Sequence, residues 1–250
     1  MRSAPASLRH GHVPDHDSIP HRQHSESAVP FFKPILAGAT LRDRLVACLF
    51  ATIAIALTFV VCSGVPLEAA DVPIIVAPLG ASAVLVFAVP ASPLAQPWPV
   101  VGGNIISTLV GVAVFDLIPD VTIAAGVAVG GAILVMSLCR CLHPPGGAAA
   151  LTAVIGSHGI HAAGYSFAFA PVGINSIALV SIAMFLHRAT GRSYPHQNIA
   201  PPVAPIPSRF DETDIDAALA DMHESFDIGR DDLNALLARA ERHAAARTGR

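Results

Sequence analysis

Cys141-Leu-His-Pro-Pro-Gly-Gly-Ala-Ala-Ala-Leu-Thr-Ala-Val-Ile155 sets a histidine, a proline pair and a glycine pair into an otherwise apolar run. In a bilayer each unpaired backbone group costs several kcal/mol. Helix breakers are therefore tolerated only where protein or a water-filled cavity serves the freed groups. The stretch is either a structural hinge or the wall of a binding site, and its surroundings have to decide.

Those surroundings are membrane-like. Of the 250 residues, 53% are hydrophobic and 13% charged, a balance typical of membrane chains. From Leu45 to His187 the only basic residue is Arg140 and the acids are Glu68, Asp71, Asp116 and Asp120. That stretch is long enough for about six crossings of a ~30 Å hydrocarbon layer. The net charge of -3 averages this apolar block with two polar tails, so it says nothing about partners beyond the lipid bilayer, and nucleic acid is not expected among them. No secretory signal peptide is visible in the polar, His-rich start, so insertion without cleavage is expected. Cys48, Cys62, Cys139 and Cys141 fall in or beside apolar segments, and Cys139-Arg-Cys141 lacks the two-residue gap of a redox pair or zinc hairpin. They read as small buried hydrophobes.

Apolar segments lie at about Leu45–Cys62, Val72–Val89, Val100–Leu117, Val121–Leu138, Pro145–Ile155 and Phe167–Leu186. Pro78 is expected to interrupt the second, leaving a helix of about 11 residues, roughly 16 Å, after it. The fifth is similarly short. With six crossings and a cytoplasmic N-terminus, Lys33, Arg42, Arg44, Arg140, Arg188 and Arg192 are cytoplasmic, while Glu68, Asp71, Asp116, Asp120, His158 and His161 lie outside. Every charged loop then obeys the positive-inside rule. Were the two short segments re-entrant, Arg140 would move outside. Both termini are thus expected in the cytoplasm, at a bacterial inner membrane.

An internal repeat points the same way. Pro78-Leu-Gly-Ala-Ser-Ala-Val-Leu85 aligns without gaps to Pro144-Pro-Gly-Gly-Ala-Ala-Ala-Leu151, and Pro99-Val-Val-Gly-Gly-Asn104 resembles Pro171-Val-Gly-Ile-Asn175. The expected fold is all-α, with about six transmembrane segments, two of them short Pro/Gly-broken helices, in an inverted 3+3 repeat. Paired broken segments in corresponding positions point to a transporter's binding site.

Four regions follow: a disordered His-rich tail over 1–40, the transmembrane domain over 41–192, a Pro-rich linker over 193–210, and an acidic helical segment over 211–250. The histidines of the tail have no regular metal-binding spacing, and no metal or cofactor is expected. In the last region Ile215, Leu219, Met222 and Phe226 keep a helical spacing, and Leu233, Leu236, Leu237 and Ala240 keep another. Such a hairpin is too small for its own core. It is expected to pack on the membrane domain, on another copy in a homo-oligomer, or on a soluble partner.

Pro144 should push His143 out of helical geometry, and Pro145 suits the first turn of a new helix. Gly146 and Gly147 allow close approach of a ligand or of another backbone. Unpaired N–H groups at such a helix start make a ready anion site, and Pro78, Gly80 and Ser82 would build a second. His143 can serve as proton relay, anion ligand or helix cap, and an ionisable group at membrane depth is a functional candidate. Asn104 and Asn175 carry amides into apolar helices and could line a polar path or bond across helices. Gly126-Val-Ala-Val-Gly130 reads as a helix-packing pattern, and Asp116 and Asp120 as solvated loop acids.

Ala77-Pro-Leu-Gly-Ala-Ser82, Ser92-Pro-Leu-Ala-Gln-Pro-Trp98, Gly103-Asn104, Cys141-Leu-His-Pro-Pro-Gly-Gly147 and Gly191-Arg-Ser-Tyr-Pro-His196 together resemble the HPP family of integral membrane proteins. The resemblance covers about residues 40–200. It implies four or more transmembrane helices. It also makes a small inorganic anion plausible, because some plastid and cyanobacterial members are linked to nitrite transport. Many bacterial members continue into a pair of adenosyl-sensing CBS domains. None follows here, so nucleotide regulation within this polypeptide is not expected.

The expected function is a transporter or channel for a small anion such as nitrite, bound at the short-helix N-termini with His143 and Ser82 as side-chain donors. The alternative is a non-transporting scaffold or regulatory subunit whose helical tail docks a soluble partner. An enzyme is not expected, since no nucleophile or acid/base pair accompanies His143.

Overall fold

A computed structural model of the chain describes residues 40–63, 72–197 and 210–248. The His-rich tail, Glu68, Asp71 and the Pro-rich run of the linker lie outside these residues. Among the described residues all regular structure is helical: α1 (Leu41–Ser63), α2 (Val72–Ala88), a 3-10 turn (Pro93–Ala95), α3 (Pro97–Leu117), α4 (Val121–Leu138), α5 (Pro144–Ile155), α6 (His158–Ala163), a widened turn (Ala168–Gly173), α7 (Ile174–Ala189), α8 (Glu212–Met222) and α9 (Arg230–Thr248).

Side-chain size is distributed inside out. The interior of the bundle is dominated by small residues: Ala54, Ala83, Ala124, Ala128, Ala132, Ala150 and Ala183 are buried, with Ser82, Ser107 and Thr108 among them. Large aliphatics face outward, as in the α1 stripe of Leu45, Leu49, Ile53 and Leu57 and on α4 at Ile123, Val127, Ile133, Leu134 and Leu138. Water would penalise that surface heavily. Lipid does not, and small residues are what let helix backbones approach closely where tails and leucines are equally apolar. The chain is an integral membrane protein.

Four segments are long and apolar enough to cross: Leu41–Val60, Pro97–Leu117, Val121–Leu138 and Ala168–Ala189. At 12 residues, α5 reaches only about 18 Å. The short fifth segment is as expected, but the second is not. α2 continues through Pro78, so Gly80 sits inside a helix rather than in its first turn. A proline removes one hydrogen bond from a membrane helix without ending it where neighbouring groups serve the freed carbonyl. The sixth segment is corrected too: its backbone leaves helical geometry at Ala170, and α7 starts only at Ile174.

In the bundle α1 packs on α2 and α7, and α4 packs on α5 and α3; α5 also lies against α3 and α2, and α7 against α2 and α3. The α3–α5 crossing depends on glycine. A Cβ on Gly103 would come 2.6 Å from the His143 Cβ and 2.8 Å from the Cys141 carbonyl, and one on Gly146 would come 2.6 Å from the Ser107 Oγ. By contrast, Gly126 and Gly130 face open space. The α4 contact stripe is Ala124, Ala128, Ala132 and Met136, not the glycine pair that the sequence suggested. Two of the cysteines also depart from expectation: Cys48 and Cys139 are exposed, and Cys141 alone among the described three is buried.

Candidate functional site

Pro144 opens α5 with His143 as its N-cap, in extended geometry. The imidazole of His143 does not cap its own helix. It is fully buried and bridges α2 and the connection that follows it. Its Nδ1 lies 2.9 Å from the Leu94 carbonyl and its Nε2 lies 2.8 Å from the Ser82 Oγ. A carbonyl only accepts, so Nδ1 carries a proton. The Ser82 hydroxyl also lies 3.1 Å from the Pro78 carbonyl, one turn back along α2. Asn104 on α3 donates through Nδ2 to Ser82 Oγ at 3.4 Å and to Ser176 Oγ at 3.1 Å. The result is a buried polar belt of α2, α3, α5 and α7 side chains in an otherwise alanine-rich interior. Two of its polar atoms, Asn104 Oδ1 and Ser107 Oγ, are buried without a hydrogen-bond partner.

The belt brings together His143, Ser82 and Asn104 of the expected residues, with Asn175 buried beside Ser176 on α7. Pro145 and Gly146 are buried against it, Gly147 is half-buried, and Pro144 is exposed. Pro78 lines a cavity of about 10 Å³ together with Leu79, Asn104, Ala149, Thr152, Phe167 and Val172. That space suits about one water molecule. Gly80 stays apart from the site: a Cβ there meets nothing within 4 Å.

The expected donors at helix starts are also corrected. Prolines at 144 and 145 have no N–H to offer, and the Gly146 N–H is taken by the His143 carbonyl at 2.8 Å. With Gly80 inside a helix, the polar capacity of the site resides in side chains and not in first-turn amides.

The connection between α2 and α3 explains why the histidine sits where it does. Pro90 cannot donate to the Val86 carbonyl, and His187 Nε2 does so instead at 3.0 Å. Arg44 serves the Ala88 carbonyl, Gln96 serves those of Pro90 and Ser92, and the Tyr194 hydroxyl serves that of Ala95 at 2.9 Å. Buried carbonyls need such partners, and with His143 on Leu94 this region obtains them from four other parts of the chain. Tyr194 follows α7 and is itself buried, which pushes its phenol pKa above the ordinary value. Tyr194→Phe should therefore lower the apparent melting temperature in detergent by the equivalent of about 1–3 kcal/mol. An unchanged melting curve would remove the hydrogen bond from the account.

The C-terminal hairpin reaches the same connection. Ser92 Oγ donates to Asp227 at 2.7 Å, and His196, whose N–H binds Gln96 Oε1 at 2.9 Å, pairs through Nε2 with Asp232 at 2.9 Å. Sequence reasoning missed Ser107, Ser176, His187 and Tyr194. The two serines are one helical turn or one residue away from residues it did select, and could have been found by carrying the helical phase of Asn104 and Asn175 forward.

Residues 37–195 match the family described as HPP, transmembrane region. The chain belongs to the HPP family. Two transmembrane proteins of Dictyostelium discoideum are similar to this HPP protein. One is 35% identical over 131 residues, covering 50% of this chain and 46% of the relative. The other is 38% identical over 120 residues, covering 46% and 38% respectively. The HPP chain thus spans less than half the length of either relative. No solved structure matches it.

Proposed function

We propose that the protein is a transporter or channel for a small inorganic anion, with nitrite, to which the family resemblance points, as the first candidate. The observation that carries this reading is the buried belt of His143, Ser82, Asn104 and Ser176, made by side chains from both halves of the bundle. Its donors are the imidazole, the hydroxyls and the amide. Polar groups at membrane depth are expensive and mark substrate paths.

The two-unit architecture is part of the same proposal. Exchange α1 with α4, α2 with α5 and α3 with α7, and the substantial helix contacts of the bundle map onto themselves. α1–α2 becomes α4–α5, α1–α7 becomes α4–α3, and α2–α7 becomes α5–α3, while α2–α5 and α3–α7 are unchanged. Six crossings, three per unit, make the second unit inverted. His143, on the fifth helix, then reaches the connection after the second, and both termini face the cytoplasm of a bacterial cell.

Uptake of nitrite into proteoliposomes tests the site. His143→Ala and Gly146→Leu should each reduce uptake at least tenfold, and undiminished transport in both would refute the assigned residues. A scaffold reading has its own support in an apolar groove of about 960 Å³ between α8 and α9, lined by Ile215, Leu219, Met222, Phe226, Leu233 and Leu237 among others. Deleting residues 205–250 separates the two readings. The transporter should retain more than half its uptake rate, whereas a scaffold without its tail should lose its soluble partner with no flux to measure in either form.

A further inference from the structure

Among the described residues no lysine, arginine, aspartate or glutamate is buried, and His143 and His187 are the only buried side chains able to become positive. A bare anion moved into such surroundings pays a desolvation penalty of several kcal/mol even after relaxation. Its charge has to be matched by one that arrives with it. The belt contains a place for that charge. His143 Nδ1 is already committed as a donor to Leu94, which leaves Nε2 as the atom that gains or loses a proton. Ser82 Oγ stands between two acceptors, 2.8 Å from Nε2 and 3.1 Å from the Pro78 carbonyl. With neutral His143 the Ser82 hydroxyl donates to Nε2. When a proton binds Nε2, the new N–H donates to Ser82 Oγ and the Ser82 hydrogen turns to Pro78. Both states keep the Leu94–Nδ1 and Ser82–Nε2 hydrogen bonds, the charged state adds the one to Pro78, and only a hydroxyl rotates.

We infer that one proton travels on His143 Nε2 with each anion, so that the carrier cycle is electroneutral. This rests on the anion-transport reading above and adds its coupling ion. Each inward step takes one proton and one anion from the outer solution and releases both inside; Ser82 then turns back to Nε2. No fixed charge on the surrounding elements substitutes for the proton. The described part of α2 and all of α4 and α5 carry no charged residue, and Asp116 lies near the opposite end of α3, about 18 Å along the helix from Asn104. Arg140 is exposed at the turn before α5, and the buried Cys141 can become only negative. Around the α2–α3 connection Arg44 is held on the Ala88 carbonyl, Arg192 pairs with Asp43, His196 pairs with Asp232, and Asp227 accepts from Ser92. His187 is no substitute either: its Nε2 serves Val86, its buried Nδ1 has no partner among the described residues to take the hydrogen bond of an added proton, and its ring is enclosed by Phe50, Phe87 and Tyr194.

The test uses the full chain in proton-tight liposomes with isotopically labelled nitrite outside, a lumenal pH dye, and potassium with valinomycin to set the membrane potential. Protein-free liposomes are subtracted, because nitrous acid crosses lipid unaided. The expected result is one proton entering per nitrite, with accumulation that does not follow the potential. His143→Gln, checked for folding by its elution and melting profiles, should lose both fluxes together. An accumulation ratio that follows the potential, roughly fifty-fold for 100 mV in an uncoupled anion carrier, overturns the coupling and leaves the transport reading intact. Proton-coupled uptake surviving in His143→Gln overturns the assignment of the carrier residue. Absence of any protein-dependent nitrite uptake removes the transport reading itself, and the coupling with it. The potential measurement needs only the wild-type chain, so it stands even where the variant fails to fold.

Discussion

Together with Gly111→Ala, whose added carbon would run into the Ala150 backbone, Gly103→Ala is expected to be the most damaging single-methyl change in the bundle. The carbon added at Gly103 would sit 2.6 Å from the His143 Cβ and 2.8 Å from the Cys141 carbonyl oxygen. Neither neighbour is the far end of a flexible side chain, so α3 and the start of α5 would have to separate. Overpacking of this kind costs about 1–3 kcal/mol, and the upper end is expected because the strain falls on backbone. Gly146→Ala should cost less. Its Cβ meets Ser107 Oγ at 2.6 Å and Met136 Sδ at 2.9 Å, side chains that can turn away, and the one backbone contact, with the Gly103 carbonyl, is longer at 3.1 Å. Gly80→Ala should be neutral or slightly stabilising, since its Cβ meets open space and alanine is the better helix residue. Apparent melting temperatures in detergent should fall in that order, with Gly103 lowest. An equal response at Gly103 and Gly80 would mean that the α3–α5 crossing is not as close as described.

His143→Ala has the second large expected effect, and it should combine with Ser82→Ala in a non-additive way. Removing the imidazole strands the Leu94 carbonyl and leaves a cavity beside Ser82. The stranded acceptor alone is worth about 1–3 kcal/mol. Once His143 is absent, the Ser82 hydroxyl turns to Pro78 and keeps only Asn104 across the helices, so its own truncation should cost less in the His143→Ala background than in the wild type. Residues sharing such a bond show coupling of about 0.5–3 kcal/mol in a double-mutant cycle. Melting-temperature shifts that simply add would show that the 2.8 Å contact between them contributes nothing to stability. The cycle reads folding and the uptake assay reads transport, so the structural and functional duties of His143 can be measured apart.

Much of this was legible in the residues. The membrane class follows from the charge-depleted run between Leu45 and His187. The short α5 follows from the Pro144-Pro145 pair, because the pre-proline restriction sets the helix start at His143. His143 and Ser82 were expected as donors to one anion; they lie within hydrogen-bond distance of each other, while Gly80 stays apart. What failed was local reasoning at positions where tertiary partners decide. Pro78 looks like a helix end from its own chemistry, yet α2 passes through it. Gly126 and Gly130 have packing-motif spacing, but helical phase sets Ala124, Ala128 and Ala132 against the bundle instead. Proline's missing N–H, used as a sign of a helix start, is also the reason that the start of α5 has few donors for an anion. The partners of the α2–α3 connection were out of reach for a different reason: pairing Val86 with His187 or Ala95 with Tyr194 spans 101 and 99 residues, and no local pattern encodes such a contact.

The α2–α3 connection has a mechanical consequence. Its carbonyls are held by side chains from the start of α1, the start of α5, the end of α7 and the segment after it, while its Ser92 and Gln96 hold the segment leading to the hairpin and the hairpin itself. It works like the knot where several guy-ropes are tied. Any shift of these segments against one another must slacken some ropes and tighten others at that one place. The tail hangs from the same knot, so a movement within the lipid has a ready-made tether by which to tug on whatever lies outside it.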